Sequence, residues 1–209
     1  MPLLLKKVNN QDVLAVWKIV ENETELSRML TFSEQMHRQL DTILCREKRL
    51  EWIASRILLQ HLTQCVPCVA YNPNGKPLLP SKANHISISH TKGFAAVLVT
   101  GSKPAGIDIE YSSQRIARIA PRFISDQERY YMLRACQDEQ ICSIIWCAKE
   151  TLYKVADTPG LSFKRDMYIE PFHPTAKGAL VGKLKFGHIW ASFFLNYIAT
   201  ADFYLVWRW

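Results

Sequence analysis

Between Gly106 and Lys154 the chain carries two acidic segments with different periodicities, and together they restrict what it can fold into. The first, Gly106-Ile107-Asp108-Ile109-Glu110, alternates. In an extended strand Asp108 and Glu110 share one face, while Ile107 and Ile109 turn toward the core. The second, Trp146-Cys147-Ala148-Lys149-Glu150-Thr151-Leu152-Tyr153-Lys154, has Trp146, Glu150 and Lys154 four apart, which in a helix sets them along one stripe. A strand carrying two carboxylates, facing a helix with a third and an ammonium one turn on, suits Mg2+. That ion takes a few carboxylate oxygens and completes its shell with water and phosphate oxygens. Asp108, Glu110 and Glu150 are therefore candidate metal ligands. Two plainer readings stay open here. Glu150 and Lys154, in that order, also make an ordinary surface pair worth about 0.2–0.5 kcal/mol, and Asp108 with Glu110 also makes the solvated face of an edge strand.

The rest of the chain is an α+β pattern. Residues 3–8 and 13–19 read as strands, and 23–30 as a helix. From Ser33 or Asp41 to about Gln64, Ile43, Leu44, Leu50, Ile53, Ile57, Leu58 and Leu62 recur at helical spacing, as one long amphipathic helix or two abutting ones. Tyr71 to Pro77 is dense in turn residues. His85-Ile86-Ser87-Ile88-Ser89-His90 then alternates, and with the apolar run 94–100 across Thr91-Lys92-Gly93 it reads as a hairpin. Gly101 to Pro104 is a break before the acidic strand. Helices follow over 116–123, over 125–133 with Ser125 as N-cap and Glu128 three residues on, and from Asp138 to Val155. Pro159-Gly160 breaks the chain, and strands fill the remainder through 203–207. Helices, a loop, then strands occur twice, suggesting two halves of similar build.

Charge narrows the partners. With 26 Lys and Arg against 19 Asp and Glu, the chain is +7 with a pI of about 9.1, which favours an anionic partner. The excess is dispersed, without a run of five like charges, so it does not by itself favour nucleic acid. Met1 to Lys7 is too short and too early charged for a signal-peptide core, and no 18-residue apolar run is present, so neither export nor membrane spanning is expected. In such a chain the six cysteines read as reduced thiols of a cytoplasmic protein. Cys65-Val66-Pro67-Cys68, with His61 upstream, resembles half a zinc or redox motif, but no second pair completes it, and a helix-end turn is the reading adopted.

Several basic residues could meet an anion. Lys76 sits in a Gly-Lys-Pro turn, where Pro77 fixes the backbone and Gly75 permits close approach of a ligand. Ser89 and His90 end a strand with a hydroxyl and an imidazole. Arg49 and Arg56, seven apart beside Lys48, share a helix face that is either solvated or able to clamp a phosphate.

Gly75-Lys76-Pro77, Ile88-Ser89-His90, the Gly106–Glu110 segment and Trp146-x-x-Lys149-Glu150-x-x-x-Lys154 stand in the order and spacing of the 4'-phosphopantetheinyl transferases. The chain resembles that family over about residues 45–165. Its length and two-part layout are similar to the monomeric surfactin-synthetase-activating type rather than the short trimeric holo-acyl-carrier-protein synthases. The resemblance implies a pseudo-duplicated α+β fold of two similar halves, each a small antiparallel sheet packed on helices, with the site at their interface. Residues 1–104 would supply contacts to coenzyme A phosphates and residues 105–209 the metal and catalytic groups. It implies transfer of the phosphopantetheine arm of coenzyme A to a serine of an apo carrier protein, with Mg2+ and release of 3',5'-ADP. Asp108, Glu110 and Glu150 would ligate the metal, Glu150 would draw the proton from the serine, and Lys154 would neutralise charge on the diphosphate. Lys76, Ser89 and His90, with Arg49 and Arg56, would hold the coenzyme's phosphates. The partner would be an acidic acyl or peptidyl carrier protein, docked on apolar residues such as Phe123, with the enzyme a monomer that engages neither nucleic acid nor membrane.

Two departures from the family pattern stand out. Cys147 and Thr151 replace the usual Thr and Ala, both small changes, and Pro159 stands where a glycine-rich turn is usual. Beside the transferase stand two other readings of the same residues: a metal-dependent phosphoester hydrolase, and a coenzyme A-binding module without activity.

Overall fold

In the computed structural model, which describes residues 3–80, 84–101, 103–132 and 139–209, the chain divides into two compact units. The first comprises Met1–Ala105 with Trp209, the second Gly106–Arg208.

In the first unit, Leu3–Asn9 (β1) and Asp12–Lys18 (β2) form a hairpin that turns at Asn10 in the left-handed region. Three helices follow: α1 (Glu23–Met29), α2 (Glu34–Asp41) and α3 (Arg46–Thr63). Then come Ala70–Tyr71 (β3), Pro77–Leu78 (β4), His85–Thr91 (β5) and Phe94–Thr100 (β6). The sheet runs β1-β2-β6-β5-β4-β3, with antiparallel pairing throughout. Local chemistry places the helices. Asn22 and Glu25 close a capping box on α1, and the Ser33 hydroxyl accepts from Met36 N to start α2. The region read as one long helix or two abutting ones is two: α2 ends at Thr42, whose hydroxyl bonds Gln39 O, and α3 starts after Cys45. The apolar stripe of α3, Ile53, Ile57 and Leu58, packs with Ala15, Trp17, Ile86 and Val97 of the sheet into one core. Each such side chain removed from water contributes about 1.5–3 kcal/mol. All of β6 and the centre of β2 are buried on both faces, which is why β2 alternates so weakly in sequence.

In the second unit Gly106–Tyr111 (β7) precedes three helices, α4 (Arg115–Phe123), α5 (Asp126–Met132) and α6 (Glu139–Ala156). The expected helix ends at Leu133 and Asp138 fall outside the described residues. Met167–Ile169 (β8), Lys177–Phe186 (β9), Ile189–Ala199 (β10) and Phe203–Arg208 (β11) complete an antiparallel sheet of order β7-β11-β10-β9-β8. Ser125 and Glu128 form the expected capping box, with Ser125 N donating to the Glu128 carboxylate and Glu128 N to the Ser125 hydroxyl. The long helix α6 packs Ile144, Ile145, Ala148 and Leu152 against Leu180, Leu184, Leu195 and Val206.

Among the described residues the first unit reads two strands, three helices, four strands and the second one strand, three helices, four strands, and both long helices have 18 residues. The fold is α+β, as expected, with antiparallel sheets packed on helices. No helix among the described residues is long and apolar enough to cross a membrane.

Candidate active site

Among the described residues the acidic strand lies at the edge of the second sheet, paired with β11, where Asp108 stands opposite Val206 and Glu110 opposite Tyr204. Side chains of directly opposed residues share a face. Val206 and Tyr204 belong to the core beneath α6, so Asp108 and Glu110 face that helix. Ile107 and Ile109, expected to face the core, are both buried, on the face of the sheet opposite Asp108 and Glu110. Both faces of this edge strand are covered, which leaves Asp108 only 5% exposed and removes the reading of a solvated strand.

The helix comes close because Gly106 allows it. A Cβ there would stand 2.6 Å from both Thr151 O and Val155 Cγ2. Cys147 and Thr151, the two residues that depart from the family box, lie buried against β11, with the Cys147 thiol donating to Tyr204 O and the Thr151 hydroxyl to Val206 O. Burial, then Asp108 and Glu110, push the Cys147 thiol up, so it stays protonated and is no nucleophile. The helix runs antiparallel to the strand, setting Lys154 on Asp108 and Trp146 on Glu110. Lys154 Nζ donates to Asp108 Oδ1 at 2.7 Å and to Ile107 O at 2.8 Å, and Trp146 Nε1 donates to Glu110 Oε1 at 2.9 Å. Trp146 is itself wedged by Phe123 and Phe163. Phe123, expected to dock a partner, is only 1% exposed and packs in the core instead.

Glu150 completes the group. Burial, and then the neighbouring charge of Asp108, push its carboxyl up from 4.5 to about 7, with Glu110 adding to the rise and Lys154 opposing it. The plain surface pair of Glu150 and Lys154 is therefore not what the structure holds: Lys154 salt-bridges Asp108, and Glu150 faces two other acids. Hard oxygen donors crowded in this way fit a divalent cation chemically. Among the described residues no three such side chains converge as a ready-made ligand set, with Asp108 drawn to Lys154 and Glu110 to Trp146.

Lys149, the remaining member of the helix motif, goes the other way. It is fully buried, and its Nζ donates to Glu128 at 2.6 Å, to Phe123 O and Phe163 O at 2.8 Å, and to Met167 O at 3.2 Å. The other Glu128 oxygen accepts from Ile169 N. This ion pair ties α4, α5, α6 and β8 together, and its satisfied donors mark it as architecture. Burial lowers the Lys149 pKa, and Glu128 counters that.

In the first unit, Lys76 lies in a turn built on Asn72, whose side-chain oxygen accepts from Asn74 N and Lys76 N. Gly75 is required there by its φ of +81°, although a Cβ would meet nothing within 4 Å. Ser89 is buried, and His90, at the end of β5, pairs through Nδ1 with Glu51 at 2.9 Å. Sequence reasoning missed Glu51, since nothing local joins a helix residue to a histidine 39 positions on. Arg49 grips Glu23 through Nε and Nη2 and donates through Nη1 to Leu40 O and Ile43 O, tying α1 and the α2–α3 joint to α3. Arg56 is 2% exposed, stacked on Trp52 and bonded to Ser55 Oγ and Tyr71 OH. Despite their seven-residue spacing, neither guanidinium is presented as a phosphate clamp. Cys65 and Cys68 follow the left-handed cap of α3 at Gln64 as exposed free thiols. A groove lined by Gln127, Tyr168, Lys183, Trp190 and Ser192 includes none of the acidic residues.

Comparison with known proteins bears on the same segment. Residues 104–196 match the family model described as 4'-phosphopantetheinyl transferase superfamily, a stretch holding Asp108, Glu110, Trp146, Lys149, Glu150 and Lys154. The chain is 34% identical over 102 residues to 4'-phosphopantetheinyl transferase Sfp of Bacillus subtilis (strain 168), covering 47% of this chain and 45% of that protein. It is 38% identical over 98 residues to a 4'-phosphopantetheinyl transferase of Bacillus subtilis, covering 45% and 42%. The chain thus spans less than half the length of these curated relatives. The segment that carries the acidic strand and helix is thus similar to the 4'-phosphopantetheinyl transferase superfamily.

Proposed function

We propose that the protein transfers the 4'-phosphopantetheine arm of coenzyme A to a serine hydroxyl of an apo carrier protein, with Mg2+ as cofactor and 3',5'-ADP as the other product. One observation supports the reading: where β7 meets α6, inside the segment that matches the family, Lys154 bonds Asp108, Trp146 bonds Glu110, and Glu150 feels the charge of both acids. Asp108, Glu110 and Glu150 would hold the cation. Once bound, it would neutralise the diphosphate and stabilise its leaving oxygens.

Glu150 suits a general base. Burial and Asp108 push its carboxyl up to about 7 in the metal-free protein, and a bound cation would favour the ionised form that can accept the serine proton. Lys154 is fixed by Asp108 and Ile107 O, so its ammonium is held in place before any substrate arrives. Displacement at phosphorus needs alignment and charge neutralisation more than covalent help, and the buried Cys147 thiol offers none. Lys76, Ser89 and His90 would contact the coenzyme's phosphates. Arg115, Arg118 and Arg122, exposed along one face of α4, add to a net charge of +7 that suits an acidic carrier. The reading takes the chain as a cytoplasmic monomer with neither nucleic-acid nor membrane partner. The five described cysteines, all free thiols, accord with a reducing compartment.

The test is incubation with coenzyme A, MgCl2 and an apo carrier protein, read by intact mass of the carrier. A phosphopantetheine adduct that depends on Mg2+ and vanishes in Asp108→Ala is the expected result. Consumption of coenzyme A without an adduct would make the protein a hydrolase. Coenzyme binding without any reaction would make it an inactive binding module.

A further inference from the structure

His90 is 38% exposed, but its Nδ1 points inward, to a carboxylate that is only 4% exposed. That carboxylate, Glu51, sits on the second turn of α3 among residues that pack the core of the first unit. Among the described residues it pairs with His90 Nδ1 at 2.9 Å and Lys48 Nζ at 2.7 Å. A buried glutamate is costly, and an apolar residue of its size would commonly serve packing as well or better. Burial pushes the Glu51 carboxyl up, yet the bonds from His90 and Lys48 outweigh it and hold the group ionised. The charge is therefore kept, and it is aimed at an imidazole.

We propose that Glu51 is a positioning residue that fixes the His90 ring, so that Nε2 is turned outward as the donor to a phosphate of coenzyme A. This rests on the reading of His90 as a phosphate contact. An imidazole on a strand end swings about two side-chain bonds, and it presents either nitrogen. With Nδ1–H donated to Glu51, both freedoms are removed before the ligand binds, and the cost of ordering the ring falls on folding instead of on binding. The same device orients metal-bound histidines, whose second nitrogen is held by a carboxylate. Lys48, on the solvent side of Glu51, keeps the carboxylate paired if the ring moves.

The experiment is calorimetric titration of the full chain with coenzyme A, comparing wild type, Glu51→Leu, Glu51→Gln, His90→Ala and the double variant Glu51→Leu/His90→Ala. Binding does not require transfer, so a protein that binds coenzyme A but fails to transfer sinks the proposed activity and leaves this test standing. Glu51→Leu should weaken binding about tenfold, the size of one charge-assisted hydrogen bond left unoriented. Glu51→Gln, whose amide oxygen still accepts from Nδ1–H, should recover most of the loss. In the His90→Ala background, Glu51→Leu should add less than about twofold, the signature of two residues acting as one. Nitrogen-15 spectra of the imidazole should show Nδ1 bearing its proton in wild type and a mixture in Glu51→Leu. An equal loss on Glu51→Leu with and without His90 would mean a structural role only. No loss in Glu51→Leu alongside a clear loss in His90→Ala would leave His90 as the contact and overturn its positioning by Glu51. Unchanged binding in His90→Ala would remove the phosphate contact itself, and the proposal with it.

Discussion

Replacing Glu150 by Gln should stabilise the metal-free protein, and only above acidic pH. The Glu150 carboxyl titrates at about 7 when folded and near 4.5 when unfolded, because burial and the facing Asp108 and Glu110 oppose its charge. Its folded value is the higher one, so between those values the folded chain binds more protons than the unfolded chain, and stability falls as pH rises. The favourable neutral form is fully present below about 4.5, and its benefit is gone above about 7. Each pH unit of displacement is worth about 1.4 kcal/mol, which puts the whole effect near 3 kcal/mol. Solvent contact of this half-buried group lowers that to about 2 kcal/mol. Glutamine fills the same space without charge and so escapes the penalty.

Thermal unfolding in EDTA at pH 5 and pH 8 measures this. At about 2–4 °C per kcal/mol for a chain of this size, Glu150→Gln should melt roughly 4–8 °C above wild type at pH 8 and within about 2 °C at pH 5. Adding MgCl2 at pH 8 should then raise the wild type more than the variant, since a bound cation relieves the repulsion that glutamine has already removed. A variant no more stable than wild type at pH 8, or a gap that does not close toward pH 5, would refute the crowding of three acids inferred here.

Other substitutions address the frame around the acids. Lys149→Met leaves Glu128 buried without its ammonium, and should cost about 3–5 kcal/mol in urea unfolding, partly recovered by adding Glu128→Gln; a cost below about 1 kcal/mol would contradict its role as a tie. Gly106→Ala forces a Cβ to within 2.6 Å of Thr151 O and should cost about 1–3 kcal/mol in the same assay while lowering transfer, as α6 is pushed off β7. Trp146→Phe keeps a ring between Phe123 and Phe163 but deletes the donor to Glu110, so stability should drop by only about 1 kcal/mol while transfer falls by a larger factor; unchanged transfer would mean that Glu110 needs no anchor.

What the sequence disclosed followed from how local each signal is. The alternation of Gly106 to Glu110 was legible because period two is set by neighbouring residues, and it placed Asp108 and Glu110 on one face correctly. That Asp108 would be buried as well depended on β11 and α6, elements distant in sequence, because a strand covered on both sides buries the isoleucines and the carboxylate alike. The capping boxes at Asn22 and Ser125 are each contained within four residues and precede helices of the same length, so both are local signals, although the sequence analysis names only the one at Ser125. Arg49 and Arg56 share a stripe, but their fates turn on Glu23 and Tyr71, which no spacing reveals. The sharpest case is the neighbouring pair Lys149 and Glu150. Read as a string they form one motif, but consecutive residues of a helix point about 100° apart. That angle sends Lys149 into the core to meet Glu128 and leaves Glu150 toward Asp108 and Glu110. One turn of helix therefore serves two purposes: its lysine ties down α4, α5 and β8, and the rigidity so gained holds the adjacent carboxylate against two like charges that would otherwise drive it into solvent.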